Sequence, residues 1–391
     1  MREGHAHRVR VDAGARGSRR RGIPPLPPAC AAPPLPTGQP AFIRRVPPDL
    51  PWTTAVDLLN GSERGRTAYR GTSVSSTSVS HPPDEGHGVD ITQIDPALRE
   101  VTRKAPRMNL ENPVVLWAIT SLSRFMPGAK VDGVERRIVR DGDVRVRVYF
   151  PAEATGAGLL WIHGGGLVLG AAAMDDRTSS EVARETGAVV VSVDYRLAPR
   201  HPFPAAIDDC AAAFAWFVAH AGEFGVDPGR IAVGGQSAGG GLAAALTQRL
   251  VDAQTPPVAQ WLFCPMLDDR TAADRARDEV DHFVWNNRAN LVGWRSYLGD
   301  RVGADALPPY AAPARRDDLR GLPPTWIYTS DAELFFDEDV AYARALEDAG
   351  VPVTLDVVSG AAHGFEAWAP DTEPARALQA RARAWLGARL R

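Results

Sequence analysis

The chain has 391 residues and a formal net charge of −3 with histidine counted as neutral. A near-neutral chain has no general electrostatic attraction for nucleic acid, so we expect no nucleic-acid partner. Its three cysteines form no CxxC or Cys/His cluster, which excludes a disulfide framework and argues against a structural metal site. No run of about 18 apolar residues occurs, so we expect no membrane span. The lack of export and membrane signals predicts a cytoplasmic protein.

The first 88 residues differ in composition from the rest of the chain. They contain 12 Arg, no Lys, 7 acidic residues and 13 of the 33 prolines, and they sustain neither a helical nor a strand period. Such a composition is typical of disordered segments. We interpret residues 1–88 as disordered, or as an extension absent from the native protein because the start codon was placed too early.

Ordered structure is expected from about Val89 onwards. Asp95-Pro96 opens a predicted helix, and Asn112-Pro113 opens a second one that continues to about Phe125. This second helix is apolar nearly all round, so it must pack against other parts of the protein. An Asp-Gly turn and alternating apolar residues then predict a β-hairpin over residues 138–150.

Beyond Gly158, short continuous apolar runs alternate with helical stretches. This rhythm predicts an α/β three-layer sandwich with a mostly parallel sheet, whose strands are buried on both faces. The active site is expected where the carboxyl ends of the strands meet. A long insertion over residues 266–310 contains Trp285 and Trp294 and is a candidate lid. The predicted strands are Leu159–Ile162, Ala188–Val193, Ile231–Val233, Val258–Cys264, Thr325–Tyr328 and Val353–Val358, and the predicted helices lie near 176–187, 205–221, 238–252, 338–349 and 373–390.

A Gly-x-Ser-x-Gly motif with Ser237 at its centre lies between a predicted strand and a predicted helix. This context is typical of a nucleophile elbow, a tight turn that presents a serine hydroxyl to substrate. Gly235 and Gly239 supply the small neighbours that such a turn requires. The alternative is a Gly-rich helix start in which Ser237 serves as an N-cap.

Three glycines follow His163 at the end of another predicted strand. Consecutive glycines let backbone N–H groups converge on the oxyanion of an acyl-transfer intermediate. We assign the N–H groups of Gly165, Gly166 and Ala238 as its donors, with His163 and Gly164 as supporting residues of the motif. A plain glycine turn is the alternative, and a phosphate loop fits poorly because no Lys-Ser/Thr pair follows.

A serine nucleophile needs a base and an acid that orients the base. Of nine histidines, His363 follows the last predicted strand and lies 126 residues after Ser237, which fits the order serine, acid, histidine. Asp331 and Glu333 both lie in the loop after the preceding strand, and this reasoning leaves both open. Residues 337–339 are also acidic, but they suit the start of the following helix.

With these motifs, the chain resembles the hormone-sensitive-lipase-like esterases, the bacterial family IV branch of the α/β-hydrolases, over about residues 90–391. The resemblance rests on three motifs. The chain departs from the family in two places, at Gln236, where an aspartate is usual, and in the acidic block after the penultimate strand. Alignment of the acidic block implies that Glu333 takes the place of the family's catalytic aspartate, with Asp331 as the alternative. The motifs are His163–Gly166, Asp194–Pro199 with the following His201–Ala206, and Gly235–Gly240.

The resemblance implies a serine hydrolase that cleaves small carboxylic esters with short to medium acyl chains through Ser237, His363 and Glu333. It implies no metal and no organic cofactor. Residues 89–130 and part of 266–310 would form a cap on a core that spans residues 131–391. The alternatives are an amidase or lactonase on the same scaffold, or a small-molecule binding protein that has lost catalysis. Whether the chain forms a homodimer, through a sheet edge or its last helix, stays open.

Overall fold

The computed structural model describes residues 89–105, 110–122 and 128–391. The predicted extension over residues 1–88 lies outside these ranges, as does the predicted end of the second helix near Phe125. Everything below concerns the described residues.

Eight strands form one sheet with the order β1-β2-β4-β3-β5-β6-β7-β8 among the described residues. Strand β2 pairs antiparallel with β1 and β4, and every other pair is parallel. The sequence prediction of a mostly parallel sheet is therefore confirmed. The strands are β1 Val134–Asp141, β2 Val144–Pro151, β3 Gly158–Ile162, β4 Val189–Val193, β5 Ile231–Gln236, β6 Gln260–Phe263, β7 Thr325–Ser330 and β8 Val353–Val358.

Helices cover both faces of this sheet. Alternate residues of β3 belong to different cores. Leu160 packs with the helices over residues 205–220, 238–252 and 336–348, whereas Leu159 packs with those over residues 176–186 and 373–389. Of the described helices, none combines the length and the apolar character that a bilayer crossing requires. The α-helices are α1 Arg99–Arg103, α2 Pro113–Leu122, α3 Asp176–Thr186, α4 Ala205–His220, α5 Ala238–Asp252, α6 Asp269–Ala273, α7 Asn287–Leu298, α8 Phe336–Asp348, α9 Phe365–Trp368 and α10 Glu373–Arg389.

Strands β5 and β7 run two or three residues beyond their predicted ends, the hairpin begins at Val134 instead of residue 138, and strands β8 and β6 differ from prediction for clear physical reasons. Strand β8 was expected to be buried on both faces, but its residues are half-buried or exposed because it is the last strand and has only one neighbour. Strand β6 is shorter than the predicted Val258–Cys264. Cys264 leaves the strand with a left-handed φ of 36°, and Pro257 precedes the strand without an N–H to donate.

The N-terminal helices also differ from prediction. The first helix begins at Arg99 instead of Asp95, because the Asp95 carboxylate accepts a hydrogen bond from the Ala97 N–H (2.7 Å) and closes a turn first. Helix α2 begins at Pro113 as predicted, yet it packs on the protein through one face only. Ile119 is buried in the core, whereas Trp117 remains 66% exposed.

Candidate active site

The loop after β5 forms a sharp turn at Ser237. Its φ of 55° and ψ of −122° lie in a region that a non-glycine residue rarely adopts. A Cβ atom on Gly239 would collide with the carbonyl oxygens of Ile162 and His163, and one on Gly235 would collide with the Gly239 carbonyl. Helix α5 starts at the next residue, Ala238, so the serine lies at a helix N-terminus with its hydroxyl at the carboxyl edge of the sheet.

Two further strand ends bring an imidazole and a carboxylate to this hydroxyl. His363 follows β8, and its Nε2 lies 2.8 Å from Ser237 Oγ. On its other side, His363 Nδ1 hydrogen-bonds Glu333 Oε2, and Glu333 follows β7. With Nδ1–H donating to the carboxylate, Nε2 is left to accept the serine proton. All three residues are at most 5% exposed, so little water competes for these bonds.

Asp331, the alternative acid, lies elsewhere. It is exposed, and its carboxylate accepts hydrogen bonds from Ser359 Oγ (2.8 Å) and the Gly360 N–H (2.6 Å). It therefore stabilises the loop after β8 and does not contact the imidazole of His363. Of the two carboxylates that the sequence left open, Glu333 is the one beside His363.

The glycine motif after β3 packs against the turn that carries Ser237, since a Cβ on Gly239 would collide with the His163 carbonyl oxygen. Gly165 and Gly166 have φ values of 118° and 58°, which glycine adopts without strain. His163 is fully buried, stacks on Tyr195 with 4.3 Å between ring centroids, and donates from Nδ1 to the Gly164 carbonyl (2.7 Å). Burial lowers the pKa of His163, so the ring stays neutral and acts as a structural support for the loop.

The side chain of Gln236, where the chain departs from the aspartate usual in the family, contacts two glycine loops. A Cβ on Gly164 would collide with its Oε1, and one on Gly364 would collide with its Nε2. Its amide therefore lies between the glycine motif and the loop that carries His363. Sequence reasoning missed this contact because a residue next to the serine carries no periodic signal of its side-chain direction.

Two other neighbours of the acid and the base were also missed. The Thr329 hydroxyl donates to Glu333 Oε1 (3.0 Å), so both oxygens of this carboxylate have partners. The Phe335 ring packs edge-on against the imidazole with centroids 5.2 Å apart. Both residues are apolar or neutral core residues in the sequence pattern, which gave no signal of a role at the site.

Cys264 lies close to the same group. Its Sγ and the nearest atoms of Glu333 and His363 all lie within 4.8 Å of one another. A metal ion could use these ligands only by breaking the Glu333–His363 hydrogen bond. Burial raises the pKa of the Cys264 thiol well above its ordinary value, which makes a thiolate ligand unfavourable there.

A cavity of about 600 Å³ opens onto Ser237 and His363. Its outer wall comes from the N-terminal segment, through Val101 and Lys104, and from the 266–310 insertion, through Trp285. A Cβ on Gly166 would collide with the Trp285 ring, so this indole lies directly over the glycine motif. Volumes of about 300–1,000 Å³ are usual for small-molecule sites.

Comparison with known proteins agrees with this geometry. A family model described as the alpha/beta hydrolase fold matches residues 159–367. Esterase LipI of Mycobacterium tuberculosis is 35% identical over 289 residues, which cover 71% of this chain and 89% of that protein. Carboxylesterase NlhH of the same species is 37% identical over 256 residues, covering 62% and 77%. The structure of a bacterial heroin esterase superposes with a TM-score of 0.71 at 36% identity, covering 77% of this chain and 99% of that one.

A serine elbow on a mostly parallel eight-stranded sheet, with helices on both faces, defines an α/β-hydrolase. Within that class, the chain belongs to the hormone-sensitive-lipase-like family of bacterial carboxylesterases. It is a carboxylic ester hydrolase.

Proposed function

We propose that Ser237, His363 and Glu333 are the catalytic triad of this esterase. The observation that carries the proposal is the imidazole of His363, which hydrogen-bonds the serine hydroxyl through one nitrogen and the Glu333 carboxylate through the other. The glycine motif packs against the serine turn and lines the same cavity. We assign the N–H groups of Gly165, Gly166 and Ala238 to the oxyanion hole.

Acylation begins when Ser237 Oγ attacks the ester carbonyl carbon and its proton moves to His363 Nε2. The carbonyl oxygen becomes an oxyanion, which the backbone N–H groups and the N-terminus of α5 stabilise. The tetrahedral intermediate then collapses with cleavage of the bond to the alcohol oxygen. His363 gives its proton to that oxygen, and the alcohol leaves.

Deacylation repeats these steps with water. His363 removes a proton from water as the water oxygen attacks the acyl carbon, and the second intermediate releases the carboxylic acid and returns the proton to Ser237. Glu333 accepts the Nδ1–H bond throughout, so it holds the tautomer and stabilises the imidazolium.

We propose short to medium acyl chains as the preferred substrates, with the N-terminal segment and part of the 266–310 insertion as a cap. The support is the cavity wall, where Trp285 covers the glycine motif and Val101 contributes from the other segment. A bulky indole close to the acyl carbon limits the length of chain that fits.

A chromogenic ester assay tests the triad. Wild-type protein should hydrolyse p-nitrophenyl acetate, and Ser237→Ala should reduce kcat by about 10⁴-fold or more. Circular dichroism of both proteins controls for folding. Equal turnover by the two proteins would rule out Ser237 as the nucleophile.

The exposed edge of β8 supports a homodimer in which two sheets meet. This strand has one neighbour, and Val357 is 45% exposed. Unpaired strand edges are surfaces for association with another chain. Light scattering, which measures the molar mass in solution, tests this homodimer. Wild type should have the mass of a dimer and Val357→Lys that of a monomer, because a charged side chain at the strand edge disfavours pairing.

A further inference from the structure

Behind Glu333 the structure buries a second carboxyl group, that of Asp339. It lies in the first turn of α8, where its N–H donates to the Phe335 carbonyl (2.9 Å), and it is 0% exposed. Neither carboxyl oxygen has a hydrogen-bond partner in the described part of the chain. A buried carboxylate without partners is strongly unfavourable, so the group calls for an explanation.

The groups that face Asp339 are acidic. They are Glu333 from the loop after β7, Glu338 on the same helix and the Cys264 thiol after β6. No ion pair joins Asp339 to a basic side chain within the described ranges. Burial, followed by the negative charges of Glu333 and Glu338, raises the pKa of Asp339 well above its ordinary value.

Glu338 does not share this environment fully. Its carboxyl accepts hydrogen bonds from the Leu267 N–H (2.7 Å) and the Thr271 hydroxyl. Burial raises the pKa of Glu338 to about 8. Asp339 is thus the buried acid of this turn that lacks donors.

A count of protons at Thr329 indicates the state of Asp339. The single hydroxyl proton of Thr329 is donated to Glu333 Oε1 at 3.0 Å. The same hydroxyl lies beside Asp339, just outside hydrogen-bond geometry. It lowers the pKa of that carboxyl, but less than burial and the charges of Glu333 and Glu338 raise it. An ionised Asp339 would therefore face only lone pairs of that oxygen, whereas a protonated Asp339 has an O–H to donate to them.

We propose that Asp339 is a neutral carboxylic acid over the working pH range of the triad, and that its O–H donates toward the Thr329–Glu333 hydrogen bond. Of the acids in this loop and the first turn of α8, this leaves Glu333 as the carboxylate beside His363. Glu366, in the helix that follows His363, is a further buried acid near the imidazole, and burial raises its pKa to about 7. Asp339 is a positioning residue: it acts on the imidazole through Thr329 and Glu333. The inference rests on the proposed role of Glu333 in the triad.

A neutral Asp339 predicts a particular pH dependence. On the acid side of the kcat/KM profile, protonation of the base abolishes activity. Asp339 is already uncharged there, so it does not affect the position of this acid limb. At high pH Asp339 loses its proton and places a second negative charge beside Glu333, which disturbs the alignment of the imidazole. Activity therefore declines on the alkaline side.

The test compares pH profiles of wild type, Asp339→Asn and Asp337→Asn. Asparagine keeps a donor at position 339 but cannot ionise, and Asp337 is an exposed acid of the same turn that serves as the matched control. We expect Asp339→Asn to retain kcat at pH 7 within about twofold, to keep the acid limb in place, and to move the alkaline decline to higher pH. If Asp339 were ionised, removal of its charge would shift the acid limb downward by on the order of one pH unit, and the proposal would fail.

Asp339→Leu removes the donor and tests the positioning role. We expect kcat to fall about tenfold while KM changes less than about twofold, because the alignment of the base and not substrate binding is affected. Unchanged kcat in Asp339→Leu would overturn the role. If this variant does not fold, infrared difference spectra of wild type and Asp339→Asn decide, since the wild type must show a protonated carboxyl band that the variant lacks. These outcomes are independent of the Ser237→Ala assay, which tests the triad itself.

Discussion

The floor and the outer wall of the cavity are built in different ways. On the floor, Ser237 and His363 line the cavity, and Glu333 lies behind His363. All three residues follow strands of the sheet and are almost completely buried. The wall consists of side chains from segments outside the sheet, such as Val101 and Trp285, and includes exposed residues such as Met174. Rigid strand ends therefore fix the reacting atoms, whereas the chain length of the substrate depends on segments that the sheet does not constrain.

Beyond Ser237 itself, the largest effect should come from the acid behind His363. Glu333→Gln keeps the shape of the side chain but removes the charge that stabilises the imidazolium, so we expect kcat to fall by about 10³–10⁴-fold. Steady-state kinetics with p-nitrophenyl acetate measure this change.

Asp331→Asn is the matched control for that prediction. It weakens the bonds to Ser359 and Gly360, which should cost about 1 kcal/mol of stability and leave kcat within a few-fold of wild type. A large loss of kcat only in the Asp331 variant would reverse the assignment of the acid.

The floor could be predicted from the sequence to a large extent because its geometry restricts residue types. Only small neighbours fit around Ser237, and only glycine adopts the φ of Gly165 without strain. The strand-loop-helix pattern then assigns His363 to the same edge of the sheet. Glu333 is different, because it shares its loop with Asp331 and only the family resemblance separated the two.

The wall and the surroundings of Glu333 could not be predicted in the same way. Trp285 reaches the glycine motif from an insertion whose path has no regular period. The group formed by Thr329, Glu333 and Asp339 depends on how a loop folds back onto the helix that follows it. The sequence correctly predicts Asp339 at the start of a helix. Its burial could not be predicted, because it depends on how the helix packs against the rest of the protein.

A smaller effect should follow from a change in the wall. Trp285→Ala removes the indole over Gly166 and extends the cavity, so longer acyl chains should fit. We expect kcat/KM for p-nitrophenyl octanoate relative to the acetate to rise by about tenfold, which corresponds to the binding of one or two more methylenes. Assays over a series of chain lengths measure the ratio. An unchanged ratio would place the acyl chain away from Trp285.

The smallest effect is expected at Trp117, a tryptophan outside the cavity and 66% exposed. Helix α2 is attached to the protein by its other face, where Ile119 is buried and the Thr120 hydroxyl donates to the Val168 carbonyl (2.7 Å). Trp117→Ser should therefore change the free energy of unfolding by less than about 0.5 kcal/mol and leave the chain-length profile as in wild type. Denaturant titration and the same ester series measure both. A changed profile would mean that α2 closes over the substrate during turnover, and the wall would then extend farther along the N-terminal segment than the cavity shows.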